Sequence, residues 1–146
     1  MEDDKVLFYY EYEENGEFSN YWPVTLIIDG KVWHSTEHYY QAQKTLDADY
    51  AERIRLAATS DDAKKLGNSE EIVLRPDWDE YKIVAMRTAL WAKFTQDPVL
   101  KEKLLSTGDA HLAENSAKDY YWGIGADGTG KSMLGKLLME LRDGLR

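Results

Sequence analysis

The segment TLIIDGKVWHSTEHYYQAQKTL, residues 25–46, changes its hydrophobic period halfway, and that change restricts the fold more than any other feature of the chain. Its first half reads as a β-hairpin, with Asp29-Gly30 as the two turn residues that must take positive φ. Ser35 then supplies an N-cap, and TEHYYQAQKTL reads as a helix. Helical spacing dominates the chain beyond this segment. ADYAERIRLAAT is expected as a second helix, and DDAKKLG as a short third one, capped by Ser60 and ended by Gly67. Asp77 starts a long fourth, WDEYKIVAMRTALWAKFTQ. Asp97-Pro98 opens a fifth over VLKEKLLST, with Gly108 past its end. Ser132 is expected to cap a last helix beginning MLGKLLMELR. VLFYYEY and AHLAEN read as strands. The sum is an α+β chain, mainly helical, with a small antiparallel β-sheet. With no repeat, low-complexity tract or linker, residues 1–146 are expected to form a single domain.

The chain carries 27 acidic and 18 basic side chains, a net charge of −9. That balance argues against a protein whose main task is gripping a nucleic-acid backbone, which calls for a basic face. A local basic patch around Lys93, Lys101 and Lys103 would still permit brief contact with DNA or RNA. The absence of cysteine removes disulfides, thiolate metal sites and a cysteine nucleophile. No apolar run approaches membrane-spanning length and no leader pattern opens the chain, so a cytoplasmic protein without a membrane partner is expected. His34, His38 and His111 are read as scattered, and neither a metal nor a cofactor is expected.

Gly125–Ser132, GADGTGKS, satisfies the phosphate-loop pattern G-x-x-x-x-G-K-[ST]. Its context does not. A phosphate loop follows a buried parallel strand, whereas KDYYWGI is polar and aromatic. Too little chain remains after it for strands bearing a magnesium-binding aspartate. The stretch is expected to be a Gly-rich turn feeding the last helix, still able to hold a substrate phosphate at that helix's N-terminus.

Three groups of residues carry potential chemistry. Glu37, Gln41 and Lys44 recur at i, i+4 and i+7, so they share one helix face beside Tyr40. Such a line is either a solvated stripe or the wall of a site. Glu37 falls in the first helical turn, where the dipole favours a carboxylate. An ionised Glu37 suits a base or a cation stabiliser. The second group is ENSAKDYYWGIG, with Glu114, Asn115, Asp119 and Trp122-Gly123. There a ring stands ready to stack on a flat ligand while the backbone passes close by; the alternative is a loop whose aromatics only anchor it to the core. The third is FSNYWP, a turn with Ser19-Asn20 between aromatics.

The order FSN, W-x-S-T-E-H-Y-Y-Q-A-Q-K, RPDW, ALWAKFTQ and KDYYWGIGADGTGKSMLGKLLMELR resembles the NADAR/YbiA-like family across roughly Phe8 to Leu145. The resemblance implies a mainly helical α+β domain that hydrolyses N-glycosidic bonds. Its implied substrates are ribose-phosphate or ADP-ribose compounds: amino-pyrimidine ribose phosphates of the riboflavin pathway, or guanine ADP-ribosylated in nucleic acid. By motif, Glu37 and Asp119 become the site carboxylates. Lys44 and Gln41 match the family's helix, Asn20 its Ser-Asn turn, and Trp78 and Trp122, the latter followed by Gly123, its tryptophans. The chain departs from the pattern twice. Ser132 stands where relatives usually have asparagine, and Asn68 where they often have arginine.

Cleaving a ribose N-glycoside builds positive charge on C1′ and the ring oxygen, as in O-glycoside cleavage. Glu37 is then the expected cation stabiliser or water-orienting base, with Asp119 sharing that role or holding a ribose hydroxyl. Lys44 would bind phosphate or pair with the departing base, and a covalent lysine intermediate also stays open. Two other classes remain alternatives: a non-catalytic reader of ADP-ribose or nucleotides, and a phosphate-loop NTPase.

Overall fold

A computed structural model describes residues 5–146. The chain is arranged as two compact units. One consists of the described residues up to Ser19 with Asp97–Arg146, and the other is Asn20–Gln96.

In the second unit, β2 (Leu26–Ile28) and β3 (Lys31–Trp33) form the expected antiparallel hairpin. Asp29 at φ 52° and Gly30 at φ 77° make its turn. The hairpin leads into α1 (Thr36–Ala42), α2 (Ala48–Arg55), α3 (Ser60–Gly67) and α4 (Trp78–Gln96). The apolar cluster gathers Leu26, Ile28 and Trp33 of the hairpin with residues of all four helices, among them Tyr39, Ile54, Ala63 and Ala89. Gln96 closes the hairpin edge. Its amide accepts from Ile27 N at 2.9 Å and donates to Ile27 O at 2.7 Å, so a side chain stands in for a neighbouring strand. Every residue of the seven-residue α1 is buried.

Three helix boundaries differ from expectation, and the second helix is one of them, ending at Arg55 with residues 56–59 outside it. The helix after Ser35 stops at Ala42, and Gln43 and Lys44 form a turn, because Thr45 bridges to Leu74 and draws the chain away. The third helix is capped by Thr59, whose side chain accepts from Asp62 N, and not by Ser60. Ser60 instead donates its hydroxyl to Tyr21 O at 3.1 Å.

In the first unit, β1 (Lys5–Phe8) pairs with β4 (His111–Glu114), and the pairing is parallel. The strand content is thus one antiparallel hairpin and one separate parallel pair. A parallel pair demands a long crossover, and nearly the whole chain lies between its two strands. The first strand stops at Phe8, and residues 9–15 turn away from it. The Phe8 ring meets Phe18 of the 3-10 turn Gly16–Phe18 at 5.8 Å. α5 (Pro98–Ser106) is capped by Asp97. α6 (Met133–Leu145) packs against β4 so closely that a Cβ at Gly135 would collide with Leu112 O. Arg142, buried in α6, donates to Thr107 Oγ1 and Ala110 O and so ties that helix to the chain after α5. Among the described residues no helix is long and apolar enough to cross a membrane.

Candidate active site

A helix buried on every side normally presents apolar residues all round. α1 instead buries Thr36, Glu37, His38 and Gln41 beside Tyr39, Tyr40 and Ala42. Buried polar groups must be paired or they cost stability, and here the pairing is specific. Asn20, itself buried, wraps the start of the helix. Its carbonyl accepts from Glu37 N at 3.1 Å, and its Oδ1 accepts from Thr36 Oγ1 at 2.8 Å. Ser35 Oγ accepts from His38 N, the cap expected from the sequence.

The spacing read from the sequence brings Glu37 and Gln41 together. Gln41 Nε2 donates to Glu37 Oε2 at 2.5 Å, while Gln41 Oε1 is buried without a hydrogen-bond partner. With Glu37 at 7% and Gln41 at 3% exposure, the solvated-stripe reading is set aside. Lys44 stands just beyond the helix. Its ammonium donates to Asn68 Oδ1 at 2.9 Å and Gly67 O at 3.3 Å, and lies 5.9 Å from the centre of the Tyr40 ring. Burial pushes Lys44 below the ordinary lysine value; the charge of Glu37 opposes this and that of Lys64 adds to it. Trp78, the first residue of α4, meets Tyr40 with ring centroids 5.1 Å apart. Backbone bonds fix this corner, since Arg75 donates its N–H to Lys44 O and accepts from Trp78 N. Asn20, Glu37, Gln41, Lys44, Tyr40 and Trp78 therefore form one connected group within Asn20–Gln96.

The remaining sequence candidates lie in the other unit. Asp119 Oδ1 accepts from Tyr121 N at 3.0 Å and Trp122 N at 2.7 Å, an Asx-type turn that orders the loop. Trp122 is half-buried, with its ring edge-on to Tyr121 at 4.9 Å. The close approach that Gly123 permits is to its own loop, because a Cβ there would meet Ser116 at 2.8 Å and Asp119 O at 2.9 Å.

The phosphate-loop reading fails on its backbone. The N–H groups of Gly130, Lys131, Ser132, Met133 and Leu134 are donated to the carbonyls of Ile124, Tyr120, Gly123, Tyr121 and Trp122. The N–H groups that would have to cradle phosphate are occupied. Ser132 does not cap α6 either. It sits in the left-handed region at φ 46°, and its buried Oγ has no hydrogen-bond partner. The loop carbonyls cap the helix in its place.

Two further expectations are corrected. Lys93 is fully buried, so it cannot belong to a surface basic patch. The histidines are not all scattered, since His34 and His38 stand four apart with rings 6.4 Å from each other. His34 precedes the Ser35 cap, so the pair does not share a helix. His38 is engaged instead, with Nδ1 2.6 Å from Ser35 Oγ and Nε2 3.0 Å from Ala57 O. Sequence reasoning missed this pair, whose signal was a histidine three residues after a capping serine. It missed Tyr40 as a packing partner of Trp78 because nothing local brings those rings together.

Comparison with known proteins gives the family and the fold. The NADAR domain family model matches residues 7–146. The chain is 44% identical to "N-glycosidase YbiA" of Escherichia coli K12, covering 99% of this chain and 91% of that one. It is 38% identical to "Riboflavin biosynthesis protein VVA0006" of Vibrio vulnificus, over 98% of this chain but 39% of that longer protein. The NMR structure of E. coli YbiA superposes with a TM-score of 0.91 at 43% identity, covering 99% of this chain and 86% of that one. A match along the whole chain at this identity, on a fold that buries Glu37 and Gln41 of the E-x-Y-x-Q-A-Q-K motif in one helix and sets its half-buried Lys44 just beyond it, makes this chain a member of the NADAR family.

Proposed function

We propose that residues 1–146 act as one catalytic domain that hydrolyses the N-glycosidic bond of a ribose-phosphate or ADP-ribosyl compound. The coarser part, a hydrolase of N-glycosyl bonds, rests on full-length likeness to relatives named N-glycosidase. The observation that carries the reading is α1: a buried helix that keeps a carboxylate and an amide has been built around them at a cost in stability.

Glu37 is the proposed cation stabiliser. As the C1′–N bond breaks, positive charge grows on C1′ and the ring oxygen, and a carboxylate held in a low-dielectric surrounding is worth more there than in water. Gln41 fixes its orientation by donating to Oε2. The other work asked of the same carboxylate is to orient the attacking water. Lys44 supplies the cation for a substrate phosphate or for charge on the departing base. The Tyr40–Trp78 corner offers an aromatic surface for the base. Asp119 enters the proposal as the residue that orders the Tyr120–Gly123 loop, and Trp122 and Gly123 as parts of that loop. An Asp119→Asn variant in a turnover assay reads their part in the reaction.

For the substrate, the likeness to a riboflavin biosynthesis protein and the net charge of −9 favour a small amino-pyrimidine ribose phosphate over an ADP-ribosylated oligonucleotide. The test offers both to the purified protein and follows released base or ADP-ribose by mass spectrometry. Glu37→Gln is expected to lower turnover by about 100-fold or more while keeping its fold. A Glu37→Gln variant within a few-fold of wild type removes Glu37 from the role. Tight ADP-ribose binding without turnover in the wild type replaces the enzyme by a reader of that ligand.

A further inference from the structure

The Gln41–Lys44 side of the candidate site is backed by the last turn of α3, a segment with no assigned part in the reaction. Gly67 is buried there, and a Cβ would collide with Gln41 Oε1, so glycine is what lets the amide lie against this turn. Two oxygens of the same turn face Lys44, the main-chain Gly67 O and the side-chain Asn68 Oδ1. Gly67 O is among the last carbonyls of a helix, where the dipole is negative and favours a cation. Asn68 is the C-cap of that helix, with its own N–H donated to Lys64 O and its side chain directed to Lys44.

We propose that Asn68 is a positioning residue, whose Oδ1 anchors the Lys44 ammonium against the C-terminus of α3 and fixes where that charge stands. The proposal rests on the reading of Lys44 as part of the N-glycosidase site. The groups that act on Lys44 are Glu37, Lys64, the face of Tyr40 and the two oxygens of the α3 turn. Burial works to neutralise Lys44, and an acceptor at 2.9 Å works to keep it charged. Asn68 supplies an acceptor without adding a charge. A carboxylate there would hold the ammonium more firmly, and an alanine would release it.

Lysine labelled with 13C at Cε allows Lys44 to be titrated by NMR without substrate, its signal identified by its loss in Lys44→Arg. Asn68→Asp is expected to raise the Lys44 midpoint by about one pH unit or more. Asn68→Ala is expected to lower it. Asn68 is exposed, so both variants should melt within a few degrees of wild type. Midpoints equal to wild type in both variants overturn the proposal. In the turnover assay, the alkaline limb of kcat/KM against pH should move in the same direction as the NMR midpoint in each variant. A moved midpoint with an unmoved limb overturns the positioning role in the reaction. A wild-type chain without N-glycoside turnover would refute the functional reading by itself, while the substrate-free titration still decides whether Asn68 holds Lys44.

Discussion

Two serines stand at the N-termini of two helices, Ser35 before α1 and Ser132 before α6, and they do opposite things. Ser35 is extended, accepts from His38 N, and has Nδ1 of the same histidine 2.6 Å from its Oγ. Ala57 O can only accept, so Nε2 carries the proton and Nδ1 takes the Ser35 hydroxyl proton. One hydroxyl thus serves both a helix terminus and a buried ring. Ser132 is held in the left-handed region with its hydroxyl idle, because carbonyls of the Tyr120–Ile124 loop already take the N–H groups it would have capped. A cap residue is a local option, and it is used only where the surrounding chain leaves the N–H groups vacant.

Substitution separates the two. Ser35→Ala should cost about 2–3 kcal/mol in urea unfolding, combining the lost cap with a buried imidazole nitrogen left unpaired. A cost below about 0.5 kcal/mol would make the two serines equivalent. The next effect is in pH. Burial lowers His38 from its ordinary 6.5; Ala57 and Asp62 work against this and His34 adds to it. The unfolded chain therefore binds this proton first as pH falls. Stability from neutral His38 is present above 6.5 and drains away as pH drops from there through the folded value. Unfolding of wild type and His38→Gln at pH 7.5 and 5.5 should show the larger acid loss in wild type, and equal losses would exclude His38 as a source. Smaller still, Ser132→Gly should gain about 0.5–1 kcal/mol by relieving the left-handed backbone. Ser132→Ala should stay within about 0.5 kcal/mol of wild type, since no cap bond is lost. A Ser132→Ala cost as large as that of Ser35→Ala would mean that its hydroxyl is bonded after all.

Much of the candidate site is legible in the residues alone. Periodicity places Glu37 and Gln41 four apart on one helix, and they are hydrogen-bonded. The hairpin turn at Asp29-Gly30 and the Asp97 cap come from backbone chemistry confined to a few residues. The same local rules misplace the cap at Ser132 and leave the role of Asn68 unread, because each depends on chain far away in sequence.

Local sequence by itself determined which segments are helical, where most of them begin, and which side chains share a face, since those follow from dihedral preferences and the helical repeat. Tertiary structure alone decided that α1 is buried all round, that Lys93 is covered, that β1 pairs parallel with β4, and that the N–H groups from Gly130 to Leu134 are taken by loop carbonyls. The reason is physical. Burial and the pairing of backbone groups belong to whichever segments meet in space, and no short window of residues contains both partners.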